Sequence, residues 1–218
     1  MLHDPVTSTY PPCQRYTLRF LQRYLEELES NPSTVDIADE LCQEISILVR
    51  YPTQDLYHLS FRNNDIVVTC RVARYCNEVG LKLWEAAYCL TEFSSSNPTL
   101  FQNKKILELG SGGGLVGLFI GACLKPKSVY MTDYAKVLAN LAYNVDIHKH
   151  LYGEIVKAGN LDWENLSEEG VIEIQNCDMI LCADCVYDKT VFSCIIRILN
   201  LFFVERSRKA IFCNHVEK

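Results

Sequence analysis

The chain has no excess of positive charge: 21 Lys and Arg stand against 27 Asp and Glu, a net charge of −6 over 218 residues. This removes any global attraction to a polyanion, so a protein or small-molecule substrate is favoured and no direct nucleic-acid partner is expected. Long apolar runs are missing too. No stretch approaches the roughly 20 residues that span a bilayer, and the start, MLHDPVTSTYPPCQRY, has neither a basic segment leading into an apolar run nor an Arg-rich amphipathic pattern. No membrane partner is expected, and cytoplasm is the default location. Eleven cysteines, an odd number and scattered, fall short of the roughly 8–10% that marks a disulfide scaffold. Free thiols in a reducing compartment are expected. There is no internal repeat, low-complexity tract or inter-domain linker. What is present is apolar residue in quantity, 49% of the chain, enough for the core of one domain with a smaller appendage.

The pattern is helical from Pro12 to Arg50. Tyr16, Phe20, Tyr24 and Leu28 recur every four residues, SNPST interrupts, and Ile37, Leu41, Ile45 and Leu48 resume the period. Two β-type runs between Leu56 and Val72 flank NND, a hairpin turn since Asn and Asp tolerate left-handed backbone. The segment 82–93, KLWEAAYCLTEF, is helical again. After it strands alternate with helices: KKILEL, SVYMTD, EIVKAGNL, CDMILCAD and KAIFCN are separated by helix-length segments, except for a short polar piece after the third. This is the signature of βαβ units and a parallel sheet covered by helices on both faces. The expected division is an extension over 1–80, holding the helical pair and hairpin, and an α/β domain over 81–218.

The first of these strands runs into ELGSGGG, residues 108–114. A glycine cluster suits a sharp turn whose backbone must approach a ligand. No Gly-Lys-Ser/Thr follows, which removes the triphosphate reading. The dinucleotide pattern needs its third glycine at Leu115, whereas glycine stands at 114 and 117. A carboxylate at Glu108 opposes a pyrophosphate but accepts a hydrogen bond from an ammonium group, favouring an amino-acid cofactor. Asp133, at the end of the next strand, lies where a ribose acceptor belongs, about 20 residues on.

In order and spacing, ILELGSGGGLVGL, TDY, NLDW and ADCVYD resemble the class I, seven-β-strand methyltransferases. More narrowly the chain resembles the protein-lysine methyltransferases with an Asp-x-x-Tyr motif after the fourth strand, and within them the branch that methylates elongation factor 2. The resemblance implies a Rossmann-like fold, S-adenosyl-L-methionine as cofactor, and a protein substrate, elongation factor 2 or a related translation protein. It implies that Glu108, Gly110 and Gly112 line the methionine portion, that Asp133 holds the ribose, and that Asp162 and Trp163 flank the adenine. Trp84 would lie beside the cofactor, Ala183 at its mouth, and Asp184 and Tyr187 next to the methyl group. No metal is implied, and a monomer is expected.

Plainer readings exist. Asp184 is a favoured N-cap type for a helix beginning near Lys189, and Trp84 and Trp163 are the kind of residue found in cores. Cys182 and Cys185 form a C-x-x-C, without the second pair that a zinc site needs. HKH at 148–150 reads as a solvated helix C-terminus. The family's sixth and seventh strands have no counterpart before Lys218, which exposes an apolar strand edge. Two alternatives to lysine methylation follow: a non-catalytic binding module, or a methyltransferase for RNA or a small molecule. Against the latter, no Asn/Asp-Pro-Pro-Tyr/Phe motif follows strand four.

Overall fold

A computed structural model describes residues 4–30, 39–50, 55–74, 79–204 and 207–214. A five-residue helix, α1 (Pro5–Thr9), opens the chain, with Asp4 as its N-cap accepting from the amides of Val6 and Thr7. The expected helical pair follows as α2 (Gln14–Ser30) and α3 (Asp39–Arg50); the interruption between them lies largely outside the described residues. β1 (Leu56–Asn63) and β2 (Ile66–Ala73) form the antiparallel hairpin. Its turn holds Asn64 at φ 53°, the left-handed backbone that Asn tolerates.

α4 (Glu85–Ser96) leads into the main sheet, built from β3 (Lys105–Leu109), β4 (Ser128–Asp133), β5 (Val156–Asn160), β6 (Met179–Ala183) and β7 (Lys209–Cys213). All neighbours are parallel, in the order β5-β4-β3-β6-β7. The helices between them are α5 (Leu115–Cys123), α6 (Ala135–Asp146), the single turn α7 (Lys149–Tyr152), α8 (Glu168–Asn176) and α9 (Phe192–Phe202). The segment expected as a short polar piece contains α8. Its signal was local, since Ser167 caps it by accepting from the Gly170 amide at 3.1 Å and two acids occupy its first turn.

Alternation along β3 sets the two faces of the sheet. Ile106 joins Val129, Met131, Met179 and Leu181 in a core shared with Leu90 of α4, Leu118 of α5 and Leu141 of α6. Leu107 and Leu109 face the other way, among Ile174 of α8 and Ile195, Ile198 and Phe202 of α9. α5 has no wet side: residues Leu115 to Gly121 are all buried, because β2 covers it. Val68, Cys70 and Val72 belong to the same core as the sheet, so the hairpin shares its interior with the unit expected to begin at residue 81. Among the described residues β7 is a sheet edge, and strands corresponding to the family's sixth and seventh are absent from them.

Strand order reverses between β3 and β6. The carboxyl ends of β3, β4, β5 and β6 therefore gather at a topological switch point, where ligands of open α/β sheets bind.

Candidate functional site

At these carboxyl ends lies a cavity of about 920 Å³, within the roughly 300–1,000 Å³ range of small-molecule sites. Its lining includes all ten residues singled out from the sequence: Trp84, Glu108, Gly110, Gly112, Asp133, Asp162, Trp163, Ala183, Asp184 and Tyr187.

Glu108 is set by the alternation of β3, which turns its side chain toward α5 rather than toward solvent. It is 2% exposed, and its Oε2 accepts from the Gly117 amide at 3.1 Å. Burial raises its carboxyl to about 8, against the pull of hydrogen bonds from Ser111 and Gly117. Gly117 makes the arrangement possible: a Cβ there would lie 2.6 Å from the Glu108 carboxylate. The sequence displayed this glycine only as a mismatch to the dinucleotide pattern.

The glycine loop takes three left-handed residues, Gly110, Gly112 and Gly114, at φ 61°, 53° and 85°. L-residues with side chains rarely adopt these angles. A Cβ on Gly110 would fall 3.3 Å from Cys185 Sγ and 3.4 Å from the Trp163 ring; one on Gly112 would fall 3.1 Å from the Gly80 carbonyl. Asp133, 7% exposed, holds this loop directly. Its Oδ2 accepts from the Gly112 amide at 2.7 Å and its Oδ1 from the Tyr134 amide at 2.8 Å. Burial pushes its carboxyl up, and those two bonds oppose the rise.

Beyond β5, Asp162 is half-buried and its side chain is committed to its own turn, accepting from the Glu164 and Asn165 amides at 2.9 and 3.2 Å. Hydrogen bonds, first from the Asn165 side chain, hold its carboxyl below the usual range. The turn presents the Trp163 ring over Gly110. Arg197 of α9 donates to the carbonyls of both Trp163 and Glu164, which fixes the segment, and the buried Trp163 Nε1 has no hydrogen-bond partner. Trp84, which also lines the cavity, precedes α4 and is 40% exposed, so it is a rim residue rather than a core aromatic. Its Nε1 donates to the Val79 carbonyl at 3.1 Å.

β6 ends at Ala183, and the next residue, Asp184, sits at φ 58°, with its amide donating to the Cys213 carbonyl at 2.7 Å. A non-glycine residue in this region is uncommon, and such residues concentrate at functional sites. The capping alternative for Asp184 fails, because Asp188 does that work by accepting from the Thr190 amide at 2.9 Å. Tyr187 is 69% exposed at the outer wall.

Cys182 and Cys185 stand side by side across the left-handed turn at Asp184, and the other cysteines among the described residues are free. One expectation is corrected here. His148, expected in a solvated turn, is 3% exposed. It accepts from the Thr69 amide of β2 through Nε2 at 2.9 Å, a contact across 79 residues that local pattern does not carry. Sequence reasoning also missed Gly80, Lys82, Tyr134 and Cys185, which line the cavity. Tyr134 and Cys185 had a signal, each adjoining a residue already singled out. Among the described residues no group of three or more His, Cys, Asp or Glu is placed to hold a metal ion, and no helix is long and apolar enough to cross a membrane.

A family model described as lysine methyltransferase matches residues 65–217. The human protein-lysine N-methyltransferase EEF2KMT is 28% identical over 197 residues, covering 84% of this chain and 59% of its own length. The protein-lysine N-methyltransferase EFM6 of Saccharomyces cerevisiae is 37% identical over 134 residues, covering 52% of this chain and 54% of its own. Coverage of the relatives at the head of the matches runs from 46% to 66% of their length, so the chain spans about half to two thirds of them. Among solved structures, coclaurine N-methyltransferase aligns over 63% of this chain and 38% of its own, at 14% identity and a TM-score of 0.45.

Proposed function

We propose, from the premise that the chain belongs to the lysine methyltransferase family, that it transfers a methyl group from S-adenosyl-L-methionine to a lysine of a protein substrate. The observation that carries this reading is a single cavity holding both a buried acid under a glycine loop and the left-handed Asp184. Gly110 and Gly112 line the cavity with bare backbone, and a Cβ on either would press on Cys185, Trp163 or the Gly80 carbonyl, so the donor set fits a ligand that lies close along the backbone. Glu108 suits the ammonium of the amino-acid end and Asp133 the ribose hydroxyls. Trp163 suits a planar base, with its unpartnered Nε1 as a further donor.

When bound, the cofactor supplies an electrophilic methyl group on a sulfonium. The chain's own residues position the amine and exclude water. Lysine must first lose a proton from a group whose ordinary pKa is about 10.4, and desolvation beside a cation lowers that value. Asp184, held by its backbone bond to Cys213, orients the amine by accepting a hydrogen bond, and Tyr187, which lines the cavity and is exposed, walls the entrance. Elongation factor 2 is the proposed substrate. Support comes from the resemblance of the N-terminal helical pair and hairpin, and from relatives named EEF2KMT in human, mouse and cattle.

Labelled cofactor added with the protein to a cell extract lacking the enzyme tests this. A labelled elongation-factor band that Asp184→Ala abolishes supports it. Label in RNA refutes it, and cofactor binding with no transfer to any protein leaves a binding module.

A further inference from the structure

Asn144 of α6 has none of its surface exposed and is bonded on two sides. Its Nδ2 donates to the Gly113 carbonyl in the glycine loop at 2.9 Å and to the Arg71 carbonyl on β2 at 3.2 Å. Its Oδ1 accepts from the Arg71 amide at 2.8 Å. One side chain therefore joins the hairpin backbone to the loop backbone, spending both of its amide donors and its acceptor.

Asn140 on α6 and His148 just beyond its end extend the seam without reaching the loop. Asn140, one turn earlier, accepts from Arg71 Nε at 2.8 Å and donates to the Arg71 carbonyl at 2.8 Å. His148 takes the Thr69 amide and donates from Nδ1 to the Asn144 carbonyl at 2.7 Å. α6 and His148 beyond it thus satisfy the Arg71 amide and carbonyl and the Thr69 amide of β2. Gly113 also touches the hairpin: a Cβ there would lie 3.7 Å from Val72 Cγ1 of β2, and 2.8 Å from Leu83 Cδ2 in the segment before α4.

We propose that Asn144 is a positioning residue for cofactor binding, fixing the Gly113 peptide against β2 so that the loop keeps the shape in which Gly112 meets Asp133. The inference rests on the reading of the cavity as a site for S-adenosyl-L-methionine. It makes the hairpin part of the cofactor site: ordering one orders the other, and by linkage the effect runs both ways.

The test compares two asparagines that both hold Arg71, of which one also holds the loop. S-adenosylhomocysteine is titrated calorimetrically into the full chain as wild type, Asn140→Ala and Asn144→Ala, each checked by circular dichroism to be folded at the titration temperature. Asn140→Ala is expected to bind within about threefold of wild type, and Asn144→Ala about tenfold or more weakly, the scale of leaving the buried Gly113 carbonyl and the Arg71 amide unpaired. Equal weakening in both variants, or unchanged affinity in Asn144→Ala, overturns the proposal, since the asparagine then only docks the hairpin. A wild type that does not bind overturns the cofactor reading itself, and this inference with it. Should Asn144→Ala not fold, amide exchange of the wild type decides: saturating ligand is expected to slow exchange of the Arg71 amide about fivefold or more. An Arg71 amide indifferent to ligand refutes the coupling.

Discussion

Lowering the pH from 7.0 to 6.0 is expected to weaken binding of S-adenosylhomocysteine by about ninefold. The cause is Glu108, whose buried carboxyl in the free protein is raised to about 8. At pH 7.0 about 9% of the carboxyl is ionised and at pH 6.0 about 1%, from the ordinary titration relation. An ammonium placed beside it stabilises the ionised form, so the ligand selects that fraction. If the bound carboxyl titrates well below 6, affinity follows the ionised fraction, and the ratio corresponds to about 1.3 kcal/mol. The window stays below the roughly 7.7–8.0 at which an α-amino group loses its own proton.

Calorimetry at pH 6.5 in two buffers of different ionisation enthalpy counts the protons, and release of nearly one per ligand is expected. The free protein is expected to show the opposite trend in stability. Because the folded carboxyl is raised above its unfolded value near 4.5, its stabilising contribution is complete below that value and is lost as pH rises through 8. The rise in melting temperature produced by ligand therefore grows with pH over the same range. In Glu108→Gln the pH slope disappears. An affinity flat between pH 6.0 and 7.0 in the wild type, or protons taken up rather than released, would refute the pairing of Glu108 with the ammonium.

Asp184→Asn and Asp184→Ala are each expected to reduce methyl transfer by about a hundredfold or more while leaving S-adenosylhomocysteine affinity within about threefold, as befits a group that acts on the amine. Asp184→Gly, which suits φ 58°, should melt above Asp184→Ala by an amount equivalent to about 1 kcal/mol; equal melting points would argue against backbone strain there. Gly114→Ala, at φ 85° and with Leu141 Cδ1 2.8 Å from the added carbon, should lose about 2 kcal/mol or more by denaturant titration. Burial lowers the pKa of His148, and its Nε2 must stay unprotonated to accept from Thr69. Its contribution is thus present above about 6.5 and lost as pH falls through the lower folded value, which amide exchange at Thr69 should register as acid-induced loosening.

The sheet was legible because most of its strands are short apolar runs between polar breaks, β5 with Lys157 and Asn160 being the exception, and β3 and β6, covered on both faces, admit little else. The loop was legible for a different reason: three alternating glycines mean little alone, yet a strand ending in an acid before them and Asp133 one strand later constrain the ligand. What stayed hidden was every contact that joins distant segments through a single polar atom. Nothing local at His148 distinguishes a solvated turn from a buried acceptor, and nothing near Asn144 signals a bond to Gly113 across 31 residues. Gly117 was visible but unexplained, since its reason is the side chain nine residues earlier.

The contacts that hold the glycine loop share a direction. Asp133 holds Gly112 from β4, Asn144 holds Gly113 from α6, and Met131 and Leu141 close over Gly114. The loop at the head of β3 is thus fixed by the next strand and helix and, through Arg71, by the hairpin that precedes it in the chain. Three consecutive glycines are the most costly residues to order on folding, and each here has a separate restraint. The loop therefore meets its ligand already shaped, which lowers the ordering cost that binding would otherwise carry. By the same reasoning a fragment beginning at residue 81, which lacks β2, should lose cofactor affinity although it retains Glu108, Asp133 and all three glycines.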